Sequence, residues 1–381
     1  MDFACDGRDY LKALRGEGTL AYSPLFLNPT LHIARMMPLW LVVGLFGLAY
    51  CGGWLIQLWA GMQCATPEER RILRYAAPVL TFFPGLLISD VIAAGNLAYI
   101  LYGIVLLAMV VGWRRQNWTW FYLAILAVAC VKIHLLTMLA IPVLCAKRQW
   151  WRAVATGVAG VALYAVQPLL WPQQFQAYAH TLQGMSHSRR DFGCAPVGNL
   201  ARVLHLMQMP YDVLCLVFYL VFAAGLFGLL FWLSRLYREG RIRFESWAPV
   251  MLIGVILLDP RVQSYDIAAI SLPMALLALR MLRGQDGKLW HPLVWGAGAA
   301  WLVLNIVQEV NEDVVTVLPD SWKYLEMAIL LGVFASGVRM LLAEAAVERP
   351  SLVVPLAREL RSRAQSLEDF DPRKEVPSMA D

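Results

Sequence analysis

Charge is what this sequence has least of. Asp, Glu, Lys and Arg make up 15% of its 381 residues, against 59% hydrophobic residues, whereas soluble domains carry about 25% charged residues. So little polar surface cannot coat a chain of this length in water. Several chemical signatures are missing as well. There is no metal-ligating Cys/His spacing, phosphate-cradling glycine loop, dinucleotide-binding glycine fingerprint or Gly-x-Ser-x-Gly elbow, and the Asp/Asn turns lack an Asp-x-Asp metal pattern. Soluble nucleotide-sugar chemistry is therefore not signalled, and neither a metal nor an organic cofactor is expected. The seven cysteines form no Cys-x-x-Cys pair. Five lie within or beside apolar runs, where Cys behaves as a small hydrophobe. A Cys5–Cys194 bridge stays open if both face an oxidising compartment. No cleavable signal peptide opens the chain, because Asp2, Asp6, Arg8, Asp9, Lys12 and Arg15 interrupt any apolar core. The net charge of +5 is dispersed over short loops, so no nucleic-acid partner is expected.

What is there is a succession of apolar runs, near 37–61, 75–91, 96–113, 118–131, 133–146, 150–171, 212–235, 247–258, 266–284, 292–309 and 322–343. The fold class predicted is all-α, a polytopic transmembrane helical bundle of about eleven membrane segments, with the lipid bilayer as its partner. A full crossing needs about 20 residues. The runs 118–131, 133–146 and 247–258 are too short and read as broken helices. Irregular backbone at membrane depth survives only where protein or water satisfies it, so these breaks point to a site. The 15 Trp, 14 Tyr and 15 Phe suit the two membrane interfaces. Residues 1–346 form one membrane domain, and 347–381 a charged, partly disordered tail.

Orientation follows from the cations. Of the 32 Lys and Arg, 22 fall in 63–75, 114–117, 146–152, 235–245, 280–290 and the tail from Arg339. The positive-inside rule puts these in the cytoplasm. The N-terminus, the 172–211 loop, the 259–265 turn and 309–321 then lie on the far side of an inner (plasma) membrane. Eleven spans with an outer N-terminus and no signal favour one more helix ahead of Met1. The alternative is a chain that begins outside.

Ionisable groups within or at the edge of spans are costly to keep there and default to functional candidates. On the outer side they cluster: Asp2, Asp6 and Asp9; Asp90 with Gly95-Asn96; Lys132 and His134; the turn Asp259-Pro260-Arg261-Val262-Gln263-Ser264-Tyr265-Asp266; and Ser186-His187-Ser188-Arg189-Arg190-Asp191. Lys132 has apolar residues on both sides. It reads either as a snorkelling lysine or as a fixed cation facing a phosphate. Arg261, with Tyr265 and Asp266 at the mouth of two spans, makes an anion clamp, because guanidinium presents a planar fork to phosphate oxygens. A short polar hairpin is the simpler reading of the same turn. The N-terminal carboxylates are the general-base candidates. Gly44, Gly47, Gly52 and Gly53, with Ala49–Gly53 at small-xxx-small spacing, read as helix packing.

These pieces together resemble glycosyltransferase family 87, of the GT-C superfamily of polyprenyl-phosphate-sugar-dependent membrane glycosyltransferases. Asp6-Gly7-Arg8-Asp9-Tyr10-Leu11-Lys12-Ala13 is similar to the family's Asp-x3-Tyr-x2-Ala-like motif. Tyr22-Ser23-Pro24 resembles its Tyr-Pro-Pro, and Gly95-Asn96 a shortened Gly-Gln-x-Asn. Lys132 ahead of the basic loop 147–152, Gly198-Asn199, and the turn from Asp259 to Asp266 continue the order over roughly residues 1–285. Ser23 where Pro is usual, and no Gln in the glycine–asparagine motif, are departures.

The resemblance implies an inverting transfer of a hexose, most often mannose, from a polyprenyl-phosphate donor to a glycan or lipid acceptor on the extracytoplasmic face. It implies Asp6 as catalytic base, with Asp2 and Asp9 as alternates. Lys132, Arg261, Arg189 and Arg190 are implied at the donor phosphate. Tyr10, Tyr22, Asn96, His134, Asn199, Tyr265 and Asp266 are implied at the substrate. Two other classes compete: an O-antigen polymerase or ligase, whose external loop also carries Arg and His, and a transporter, which calls for two related halves that this sequence does not display.

Overall fold

The computed structural model describes residues 20, 22–82, 97–187, 192–263, 266–267, 269–284, 291–300, 303 and 321–347. Helices occupy almost all of them. In chain order they are α1 (Pro24–Arg35), α2 (Leu39–Gln63), α3 (Pro67–Phe82), α4 (Ala98–Arg115) and α5 (Thr119–Ala129). A 3-10 segment (Ile133–Leu139) runs into α6 (Ala140–Cys145). There follow α7 (Trp150–Ala165), α8 (Gln167–Leu170), α9 (Pro172–His187), α10 (Pro196–Leu206) and α11 (Asp212–Arg238). The last are α12 (Phe244–Leu257), α13 (Ser271–Arg283) and α14 (Ser321–Val347), with a helical stretch at 291–300 ahead of α14.

Among the described residues five helical stretches are long and apolar enough to cross a membrane: Trp40–Gln63, Ala98–Arg115, Trp150–Leu170, Asp212–Arg238 and Lys323–Ala346. Thr119–Ala129, Ile133–Cys145 and Phe244–Leu257 are shorter apolar helices. The helical membrane architecture holds, but the count of eleven crossings does not follow. An apolar run marks a span only if its helix is unbroken. Here the chain breaks at Lys132, whose backbone is extended (φ −136, ψ 103), and α13 starts only at Ser271. The 83–96 stretch, and the tail beyond 347, lie outside the described residues.

Two features position the site. The first is α12, in which every residue from Trp247 to Leu257 is buried. A helix apolar all round belongs inside a bundle, and α12 packs against α11, α13, α14, α6 and the 3-10 segment. At its C-terminal end it delivers Asp259. The second is the α2–α4 crossing. A Cβ on Gly53 would come 2.7 Å from the Tyr99 carbonyl oxygen, and one on Gly103 would come 2.8 Å from the Gly53 Cα. The backbones meet because neither residue has a side chain, and Gln57 donates to the Tyr99 carbonyl at 2.9 Å, a polar link of the kind helices use in lipid. The packing role expected of the glycines is thus carried by Gly53, while Gly44, Gly47 and Gly52 face open space.

At the opposite end of the bundle, Thr66 and Glu69 form a capping box at the start of α3. The Thr66 N–H donates to the Glu69 carboxylate at 2.8 Å, and the Glu69 N–H donates to the Thr66 hydroxyl at 3.4 Å. The same carboxylate accepts from Arg280 of α13 at 2.7 and 2.9 Å. Arg280 also donates to the carbonyls of Glu245 at 2.8 Å and Cys64 at 3.2 Å. One guanidinium thereby joins α2, α3, α12 and α13.

Candidate functional site

The N-terminal part of the described chain is strapped across α8, α9 and the ends of α4 and α5. The Leu20 N–H donates to the Thr181 hydroxyl at 3.1 Å, and the Leu25 N–H to the Gln167 side chain at 3.2 Å. Asn28 donates to Gln174 at 3.1 Å. Tyr22 is buried, and its hydroxyl accepts from the Leu97 N–H at 3.1 Å. The Ser23 hydroxyl donates to the Cys130 carbonyl. This fixes residue 23 beside the end of α5, two positions before Lys132.

At that point the chain leaves helical geometry, and Lys132 precedes the 3-10 segment carrying His134. A 3-10 stretch of this length is uncommon and often marks a functional break. Facing it is the turn that follows α12. Asp259 and Asp266 are each 1% exposed. One Asp259 oxygen, Oδ1, accepts from the Arg261 N–H at 2.9 Å, and Asp266 Oδ2 accepts from the Gln263 N–H at 2.8 Å. The remaining oxygens, Asp259 Oδ2 and Asp266 Oδ1, and His134 Nε2 have no hydrogen-bond partner among the described residues. His134 Nε2 lies 3.7 Å from Asp259 Oδ2. Lys132 and Arg261 act electrostatically on both His134 and Asp259, and Asp266 on His134. Burial pushes the Asp259 carboxyl up to about 6, against the lowering effect of the Arg261 N–H and of the Arg261 and Lys132 charges.

The turn is held from the other side by the end of the long loop. The Cys194 N–H donates to the Val262 carbonyl at 2.6 Å. Gly193 has φ +73, and a Cβ there would sit 2.4 Å from the Val262 oxygen, so both conformation and contact require glycine. Cys194 is a buried free thiol, not half of a bridge to Cys5.

Of the residues expected at the site from sequence, Lys132, His134, Arg261 and Asp266 meet in this one cluster. Asn199 does not reach it with its amide group. It is 4% exposed and donates to the Cys194 carbonyl at 3.1 Å while accepting from Arg202 at 2.8 Å. Tyr22 is committed to the Leu97 backbone. Asp2, Asp6, Asp9, Tyr10, Asn96, Arg189, Arg190 and Tyr265 lie outside the described residues.

Sequence reasoning missed a second buried charged group beside the first. Arg202 is fully buried, and Lys323 and Glu326, at 4% and 1% exposure, stand 3.4 Å apart at the start of α14. The missed signal was the same rule of costly intramembrane charge, applied at helix ends where Lys323 and Glu326 look like ordinary loop residues. Among the described residues no group of three or more His, Cys, Asp or Glu is placed to hold a metal ion. Further along, α13, the 291–300 helix and α14 line an open cleft of about 580 Å³. Its walls are almost wholly apolar, and they run from Ser271 and Leu325 to Met281 and Ser336.

The model of glycosyltransferase family 87 matches residues 18–260. The match takes in Tyr22, Lys132, His134, Asn199 and Asp259 and stops just before Arg261. No curated protein and no solved structure matches the chain. With a match over most of its length, on a bundle of apolar helices, the chain belongs to glycosyltransferase family 87 and is a multi-pass membrane glycosyltransferase.

Proposed function

We propose that this chain moves a hexose, mannose in the first instance, from a polyprenyl phosphate to a hydroxyl of a glycan or lipid acceptor. The transfer inverts the anomeric centre and takes place on the extracytoplasmic side, with the charged tail in the cytoplasm. The observation that carries the reading is the meeting of Lys132 and Arg261 over one buried acidic cluster, next to the seat of the N-terminal strap.

The chemistry needs two things from the protein. Asp6 takes the proton of the acceptor hydroxyl as its oxygen attacks the anomeric carbon. The bond from that carbon to the phosphate oxygen breaks on the opposite face, and its electron pair leaves with the phosphate. Lys132 and Arg261, joined by Arg189 and Arg190 from the long loop, offset the charge that builds there. Fixed cations aimed at a developing charge lower the barrier without reorganising during the reaction. Tyr10, Asn96, His134, Tyr265 and Asp266 line the sugar. A lipid-linked donor also needs an apolar channel for its tail, and the cleft beside α13 and α14 has the right character.

The test is transfer of radiolabelled mannose from polyprenyl phosphate by the purified chain in nanodiscs. Asp6→Asn is expected to lower turnover at least about a hundredfold with expression intact. Near-normal transfer by that variant would remove Asp6 from the role and bring Asp9 and Asp2 forward.

A further inference from the structure

We infer that His134, Asp259 and Asp266 form a subsite for a pair of neighbouring hydroxyls on the transferred pyranose, with Asp259, so far without a role, as its anchor. The inference rests on the glycosyl-transfer reading and adds the group that the protein holds on the sugar.

The argument begins with unmet hydrogen-bonding capacity. A buried polar atom without a partner is costly, and here two carboxylate oxygens and one imidazole nitrogen share that condition on two separate stretches of chain. Each carboxylate is otherwise well anchored, one oxygen being taken by a backbone N–H of its own turn. The second oxygen of each is thus fixed in place and bare.

The spacing then selects the ligand group. His134 Nε2 and Asp259 Oδ2 are 3.7 Å apart, too far for a direct hydrogen bond. A single hydroxyl oxygen about 2.8 Å from each atom bridges them. It accepts from the imidazole N–H and donates to the carboxylate. Only a group that both accepts and donates fits that gap, which selects hydroxyl over a carboxylate or an ammonium. Asp266 Oδ1, electrostatically coupled to both, accepts from a second hydroxyl alongside. Lys132 and Arg261 flank the same cluster, which puts the diol on the sugar bearing the phosphate rather than on the acceptor.

The test uses the full-length chain in nanodiscs and a set of polyprenyl-phosphate mannose donors, each lacking one ring hydroxyl. Wild type is expected to lose about ten- to a hundredfold in kcat/KM when the bridged hydroxyl is removed, the cost of one hydrogen bond to a charged group. Asp259→Asn and His134→Gln are expected to be slow with the parent donor and indifferent to removal of that same hydroxyl. Variants that fold and still discriminate among the deoxy donors as wild type does would overturn the subsite. In that case the gap holds an ordered water only. If wild type transfers from none of these donors, the proposed polyprenyl-phosphate mannose donor falls by itself. Binding of methyl α-mannopyranoside, followed by tryptophan fluorescence, then decides the subsite: loss of binding in Asp259→Asn keeps it, and no binding by wild type removes it.

Discussion

The two ends of the bundle treat buried carboxylates in opposite ways. At the α3 end, Glu69 accepts from Arg280 and from its own capping box, and Arg280 uses its other donors on backbone carbonyls. At the opposite end, Asp259 and Asp266 each keep one oxygen bare although cations stand close by. A satisfied buried pair fastens helices. An unsatisfied one weakens the fold and is kept only where something else completes it. The contrast separates a structural ion pair from a binding site made of the same residue types.

The largest effect expected from breaking this contrast is on stability at the Glu69 end. Glu69→Ala leaves the Arg280 guanidinium without its carboxylate, which costs on the order of 3–5 kcal/mol. A large fall in the thermal midpoint should accompany unchanged turnover by the molecules that remain folded. At the opposite end, Asp259→Asn, which keeps an acceptor for the Arg261 N–H, should do the reverse, costing the fold no more than about 1 kcal/mol, while transfer drops sharply. Equal stability losses for the two variants would erase the distinction.

Next in size is Gly193→Ala. With φ +73 and no room beside Val262, the variant should be destabilised by about 1–3 kcal/mol, with donor use falling because the 259–266 turn shifts. Lys132→Ala should weaken donor dependence more than acceptor dependence, and unchanged donor kinetics would refute its phosphate role.

The smallest effects are in pH. The Glu69 carboxyl is pushed up by burial, but hydrogen bonds from Arg280 and Thr66 outweigh that and hold it at about 2, below its ordinary 4.5. Its stabilisation is complete above 4.5 and is lost as pH falls towards 2. The Asp259 carboxyl is raised from 3.8 to about 6, so the fold favours its protonated form. That contribution is complete below 3.8 and lost as pH rises through 6. Against wild type, Glu69→Gln should therefore close its stability gap on acidification, and Asp259→Asn should gain relative stability between pH 4 and 6. Parallel profiles would show that the two carboxylates are not in opposite states.

Much of this was legible beforehand. The breaks around Lys132 and after residue 258 are visible as charges interrupting apolar runs, and the gathering of Lys132, His134, Arg261 and Asp266 follows from the cost of charge near lipid. The number of crossings was not legible, because α12 is apolar for a different reason: protein, not lipid, surrounds it. The setting of Asn199 was not legible, since nothing in a Gly-Asn pair says whether the amide faces a cavity or, as here, donates to a neighbouring carbonyl. Arg202, Lys323 and Glu326 escaped notice although their partners are local, Asn199 for Arg202 and Glu326 for Lys323, because sequence spacing alone does not say that these helix ends are buried.

The enclosure of α12 also has a bearing on biogenesis. Gly254 abuts Leu230 and Phe334, and Gly337 abuts Val250, so the central rod is clasped by helices made both before and after it. It cannot reach its final surroundings until α14 leaves the ribosome. Nascent chains halted ahead of residue 321 would show α12 to lipid and should be recognised as unfinished by membrane quality control.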